Sequence, residues 1–397
     1  MQSQLLSANF YGSLLTISLS GTIADRYGPK FCLTGSIAAY VLISLLSPLL
    51  ANSSFILFFI ARFLLGLAEG FVFPSIASVA GRWIPSSERS TCNALYTSGN
   101  QIAAALTSII SAALCASPFG WPSIFYLFGT LGAIWLLLWI ILFSNTPCEN
   151  KYISERERNY LINNIHSMKK TKNVPWRSIL FSPAVHACLI AQFSYNFTIT
   201  FMQTVLPMYM RDELMLPLSR NGVYTMIPFV SQFIAKFIVA FLADQIRSKG
   251  VLNVRQCVVV FQVASSVGTS VSLVCLAIFP SCDRPWLAGV FLSFVGISVA
   301  ASTPGVNTSA LSIAPQYSGT ITSLIRTCSQ IASILSVVLL SSVMLLNTAY
   351  TWSIVFVMGA IICVIAAIFF FFFGDAEVQE WAKIEKPSLE VSVLSIR

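Results

Sequence analysis

The sequence predicts an all-α, polytopic membrane protein, and three observations carry that prediction. Of its 397 residues, 56% are hydrophobic and only 10% charged, which is more apolar surface than a soluble core of this length encloses. The apolar residues gather into eleven runs near the length at which a helix crosses a bilayer: 5–23, 31–50, 55–79, 93–115, 122–143, 183–207, 222–243, 255–279, 286–304, 317–343 and 351–373. These runs lack the one-in, one-out alternation of barrel strands, so the spans are helices.

Charge then orients the spans. The net charge of +8 would admit a nucleic-acid partner, but its distribution argues for a bilayer instead. Lys and Arg collect at 26–30, 82–89, 144–178 and 247–255, on every second connection, whereas the connections at 51–54, 116–121 and 345–350 carry no charge. Basic loops of this kind face the cytosol. Most of the ten cysteines fall in or beside apolar runs and read as small packing residues; no CxxC pair occurs, so no metal site is expected.

The first span ends in Gly21-Thr-Ile-Ala-Asp25-Arg26-Tyr-Gly28-Pro-Lys30. Gly21 is expected to let helices approach closely, and Gly28 to permit a tight reversal. A degraded copy, Ala240-Phe-Leu-Ala-Asp244, stands 219 residues downstream when the two aspartates are compared, and Arg247, Lys249 and Arg255 follow it. Two parallel repeats follow from that. The expected division is an N-terminal bundle over 1–143, a cytosolic linker over 144–178, a C-terminal bundle over 179–373 and a cytosolic tail over 374–397. Within the linker, Ser154-x-x-Glu157 reads as a capping box. The Gly21 to Lys30 phrase resembles the loop signature of the major facilitator superfamily. That resemblance implies two six-helix bundles, with Gly21, Asp25, Arg26, Gly28, Lys30 and Asp244 as a conformational loop motif. Since the signature joins the second and third helices there, about eleven spans are present and the first helix is expected to be absent.

Arg62 and Glu69 lie in an apolar run, where a charge costs roughly 2.5–3.5 kcal/mol even on insertion scales. Their seven-residue spacing leaves them about 20° out of line and about 10 Å apart along a helix, on one face. Gly66 and Gly70 form a small-xxx-small pair for a neighbouring helix, and Pro74 can kink the span. The two charges either lock helices together or serve a substrate and its coupling ion.

The full phrase R-F-x-x-G-x-x-E-G-x-x-x-P-S over 62–75, with Trp83, Pro85, Glu88-Arg89-Ser90, Gly120-Trp121-Pro122 and Phe125-Tyr126, resembles the solute carrier 17 family of anion transporters. Pro175-Trp176, Leu206-Pro207-x-Tyr209-Met210 and Ile313-Ala314-Pro315-x-Tyr317 agree with it. The resemblance implies a secondary transporter of a small organic or inorganic anion, coupled to H⁺ or Na⁺ and working by alternating access. It implies anion recognition for Arg62 and proton coupling for Glu69; a guanidinium fork matches a carboxylate or phosphate, and protonation of Glu69 is expected to free Arg62 to hold an anion. An arginine that some members carry aligns with Tyr195, and Arg326 is expected to replace it, so Arg62, Arg326 and Tyr195 form the expected substrate site. A histidine of glutamate-transporting members aligns with Leu6, the Gln and Pro of the usual helix-two phrase with Ile17 and Leu19, and an aspartate with Ser312, which argues for a divergent organic-anion or phosphate carrier.

Two features stay open on the sequence. Lys236, about 12 Å up its helix from Asp244, reads as a snorkelling or helix-pairing charge, a reading that is open for Arg326 as well. The run Ser302-Thr-Pro304-Gly305-Val-Asn307-Thr-Ser is expected to break its helix, as a hinge or an ion-coordinating turn. No phosphate loop or Ser/His/Asp set is present, so an enzyme is not expected. The expected partners are a small anion and the lipid bilayer, not nucleic acid, with no cofactor beyond a coupling ion. The chain is expected to act as a monomer in the plasma membrane or a vesicle or lysosome membrane. The competing class is a transport-inactive or sensor-like membrane protein.

Overall fold

Each apolar run becomes helical, ten of the eleven as single helices of membrane length. The computed structural model describes residues 2–84, 89–164, 175–281, 283–314, 317–344 and 351–382. Helices α1 (Gln2–Tyr27), α2 (Pro29–Ser53), α3 (Phe55–Trp83), α4 (Arg89–Ala116) and α5 (Pro122–Leu142) come first, followed by two short helices, α6 (Glu155–Asn164) and α7 (Trp176–Leu180). Then come α8 (Pro183–Thr204), a short α9 (Leu206–Asp212), α10 (Leu218–Ser248), α11 (Val254–Ile278), α12 (Trp286–Ala300), α13 (Thr308–Ser312), α14 (Ser318–Met344) and α15 (Thr351–Phe373). Among the described residues no strand occurs, and nine helical stretches are long and apolar enough to cross a membrane. The other two helices of membrane length, α1 and α8, are interrupted by hydroxyls and amides such as Asn9, Thr16, Gln192 and Asn196.

Local chemistry starts and stops these helices where the sequence placed them. Gly28 adopts φ +94°, a left-handed conformation open to glycine, and Pro29 then begins α2 at a position where its missing N–H costs nothing. Ser54 caps α3 by accepting from Ile56 N, and Asn253 with Gln256 forms a capping box on α11. In the linker, Ser154 Oγ accepts from Glu157 N at 3.3 Å, the forward half of the expected box.

α1 crosses α3 with backbones in contact. A Cβ on Gly66 would lie 1.9 Å from the Asn9 carbonyl oxygen, and one on Gly12 would lie 2.2 Å from that of Phe63. Gly70 faces Thr16, whose hydroxyl donates to the Leu67 carbonyl at 3.0 Å. The pair expected at Gly66 and Gly70 thus finds its neighbour in α1. Gly21 behaves differently from expectation: a Cβ there would meet nothing within 4 Å, so no helix approaches it closely.

At the basic face, the start of the linker is bolted to the Gly28 turn. Asn145 Oδ1 accepts from Lys30 N at 3.0 Å, and Lys30 Nζ donates to the Ile140 carbonyl at 2.9 Å, placing a cation at the C-terminal end of α5. Trp83 Nε1 donates to the Ser144 carbonyl at 3.1 Å. On the other half, Asp244 pairs with Arg247 at 2.9 Å within α10, and Arg26 lies over the Tyr27 ring. Asp25 lies on α1, with its side chain outside the described parts.

The helix after Trp286 breaks as the sequence predicts. α12 ends at Ala300, a π turn spans Thr303–Asn307, and Gly305 has φ −80° and ψ −111°. The break would orphan backbone groups, and Gln262 of α11 takes one of them: its Oε1 accepts from Val306 N at 3.0 Å, while its Nε2 donates to Ser266. After α15 the chain returns as a strap over residues 374–382. Gln379 N donates to the Ile313 carbonyl at 2.9 Å, Ser309 Oγ donates to the Asp375 carbonyl, and Ala376 and Ala382 are buried.

Candidate functional site

The two groups of helices meet where α1 packs on α14 and α10 packs on α4. Arg326, Lys236, Tyr195 and Gln232 lie at or beside these two seams.

Arg326 lies on α14, about 12 Å inside the basic end by helical rise. Its guanidinium stacks on the ring of Phe73 from α3, with 4.3 Å between Cζ and the ring centroid. The phenols of Tyr195 on α8 and Tyr96 on α4 lie within electrostatic range of it. Tyr195 is itself held by Gln232 of α10, whose Nε2 donates to the phenol oxygen at 3.3 Å. Two polar bonds fix α14 against α8: Asn196 Nδ2 donates to Ser329 Oγ at 2.8 Å, and the Thr200 and Ser333 hydroxyls meet at 2.8 Å. Arg326 therefore presents a fork of N–H donors that neither hydrogen-bonds nor ion-pairs with any described residue. Such a fork suits a planar anion.

Lys236, on α10, is 8% exposed. Its ammonium donates to Thr97 Oγ1 at 2.8 Å and Ser98 Oγ at 3.4 Å, both on α4. It pairs the helices of the seam, with hydroxyls as its partners.

Glu69 sits at the α1–α3 crossing. The Asn9 amide of α1 donates to Glu69 Oε2, and Tyr40 of α2 lies within electrostatic range. Glu69 is the one acidic residue in the middle of a described helix of membrane length. Arg62 points elsewhere, with its guanidinium over the rings of Phe58 at 5.1 Å and of Phe125, at the start of α5, at 5.7 Å. The helical phase of the two residues is as predicted, yet their side chains take different neighbours and no ion pair joins them. Release of Arg62 through a broken Arg62–Glu69 pair is therefore not what this geometry offers.

Between α4 and α10, closed off by α8 and α9, lies a cleft of about 460 Å³. Its polar lining is uncharged and includes Asn100, Thr107, Gln203, Asn221 and Thr225.

Of the residues predicted for the site, Arg326 and Tyr195 come together, whereas Arg62 stands apart from them and Glu69 belongs to the α1–α3 crossing. Phe73, Gln232, Tyr96 and Asn9 had not been singled out. Gln232 and Asn9 carried a signal, an amide within an apolar run; the two aromatic rings carried none, because aromatic residues abound in membrane spans.

The family profile of the major facilitator superfamily matches residues 1–337. Among curated proteins the chain is similar to the uncharacterized transporter slc-17.3 of Caenorhabditis elegans, 34% identical over 97% of this chain and 73% of that one. It is also similar to sialin of Homo sapiens, 32% identical over 96% of this chain and 77% of that one, and to a putative inorganic phosphate cotransporter of Drosophila ananassae, 26% identical over 99% and 83%. Among solved structures, a D-xylose-proton symporter shares the fold with a TM-score of 0.73 at 14% identity, over 94% of this chain and 87% of that one. With a profile matched over most of its length and relatives above 30% identity across nearly all of it, the protein belongs to the major facilitator superfamily, among the transporters of the solute carrier 17 family.

Proposed function

We propose that this chain carries a small organic or inorganic anion across the membrane by alternating access, with Arg326 as the primary recognition group and proton movement coupled through Glu69. The observation that supports this most is the guanidinium of Arg326 in the seam, stacked on a ring from the other group of helices and without a hydrogen-bond or ion-pair partner among the described residues. An ionisable residue held at membrane depth is a mark of a substrate path. Tyr195, positioned by Gln232, adds a phenol that can donate to a bound oxyanion. The phosphate transport named for two relatives, the Drosophila ananassae protein and an Arabidopsis thaliana one, agrees in charge.

Coupling follows from the contacts of α1. Asn9 on α1 holds Glu69, and the same helix packs on α14, which carries Arg326. An amide donates to an ionised carboxylate and, after rotating, accepts from a protonated one. Proton exchange at Glu69 thereby shifts α1 against the helix that binds the anion. Arg62 contributes positive potential from within its own half, and the working unit is a monomer.

The test is uptake into proteoliposomes of the full chain, with labelled phosphate and a panel of organic anions under imposed pH or Na⁺ gradients. The expected result is anion uptake driven by an acid gradient and lost on Arg326→Gln. Uptake indifferent to Arg326→Gln, or preference for a neutral solute, overturns the reading.

A further inference from the structure

Lys236 is the buried cation that this scheme leaves unused. Its ammonium is matched by two neutral hydroxyls across the seam, and no carboxylate contacts it among the described residues. Hydroxyl dipoles compensate a buried full charge poorly, so the arrangement favours any state that brings a negative group to it.

Its position gives that state a location. The α4 wall of the cleft is Asn100, Ala103, Ala104, Thr107, Ser108, Ser111, Ala112 and Cys115, two adjacent columns of one helical face. The α10 wall runs through Asn221, Thr225 and Phe229. Continued by one to two turns toward the basic face, the first wall reaches Tyr96 and Thr97, and the second reaches Gln232 and Lys236. Lys236 and its hydroxyl partners therefore lie beyond the lining of the cleft, on the continuation of both walls toward the basic face. Tyr96, next to Thr97, also interacts with Arg326, so one turn of α4 connects both cations.

We infer that Lys236 is a specificity-determining second cationic ligand that makes the carrier prefer anions bearing two negative charges. Arg326 takes one charged group of the substrate. Lys236, resting here on Thr97 and Ser98, exchanges those hydroxyls for the other. This rests on the anion-carrier reading above and deepens it. A pure helix-pairing role for Lys236 predicts an effect on stability without an effect on which anion is chosen.

The test uses a probe pair of matched shape and different charge, succinate and its monomethyl ester, at neutral pH. Binding to the purified full chain is measured by calorimetry, with thermal unfolding recorded for every variant. The wild type is expected to bind the dianion about tenfold more tightly than the monoanion. In Lys236→Gln that ratio falls to about one, and in Lys236→Arg most of it is kept. The double variant Thr97→Val with Ser98→Ala removes the resting partners and raises dianion affinity severalfold; it also carries the test if Lys236→Gln does not fold. A ratio unchanged in Lys236→Gln, or dianion affinity unchanged in the double variant, overturns the inference. Equal binding of both probes by the wild type also overturns it while leaving the anion carrier intact, whereas binding of neither anion removes both readings.

Discussion

Arg62 and Arg326 both stand well inside membrane helices and both stack on phenylalanine rings, but the rings belong to different bodies. Arg62 lies over Phe58 of its own helix and Phe125 of the same half, whereas Arg326 lies over Phe73 from the opposite half. In the alternating-access cycle proposed above, a contact within one half would travel with it, whereas a contact across the seam would be made or broken as the halves move. The comparison teaches that depth and charge nominate a residue, and that the origin of its partner decides whether it responds to conformation. A cation–π contact is worth about 0.5–2 kcal/mol, enough to bias such an equilibrium severalfold.

The largest expected difference lies in the arginines themselves. Arg326→Gln should lower anion uptake in proteoliposomes by at least about 100-fold, equivalent to about 2.7 kcal/mol, whereas Arg62→Gln should lower it about tenfold or less. Equal losses would break the comparison. Arg326→Lys should restore only part of the activity, because an ammonium lacks the planar fork.

Next in size is the rigidity that the comparison assumes for the N-terminal half. Gly66→Ala forces a methyl group against the Asn9 carbonyl and should lower stability by about 2 kcal/mol, read as thermal unfolding in detergent. Gly21→Ala, with open space around it, should stay within about 0.5 kcal/mol of the wild type.

Glu69→Gln sharpens the division of labour. Stimulation of uptake by an acid gradient, taken as about tenfold in the wild type, should vanish while exchange of anion at equal pH persists. Full coupling in that variant would remove Glu69 from the mechanism. The smallest effect falls on the rings: Phe73→Leu should weaken anion uptake about threefold by releasing Arg326, and Phe125→Leu should change it less than about twofold.

Much of this was legible in the sequence, for physical reasons. Long apolar runs can satisfy their backbone only as helices, so element type and number followed directly. Gly66 and Gly70 announced a close crossing because small residues four apart leave a groove on one face. They could not name the partner, since α1 contributes Gly12 and Asn9 from more than fifty residues away. Charges in apolar runs stood out at Glu69, Lys236 and Arg326. Their surroundings did not, because hydroxyls, amides and rings from distant helices leave no mark on the local pattern. Arg62 and Glu69 show the limit: helical phase fixes where a Cα points, while a long side chain chooses among neighbours that only the packed bundle supplies. Gly21 shows another: a glycine within a family phrase need not sit at a contact in the fold.

The Gln262 splint at the Gly305 break has a mechanical consequence. A continuous helix would transmit a push along its length, but here α12 and α13 are separate struts meeting at a joint that a neighbouring side chain holds closed. The lower strut is moored at Ser309 and Ile313 to the strap that follows α15. The strap and the lower strut are thus tied to each other as one hydrogen-bonded unit, which the break at Gly305 sets off from α12.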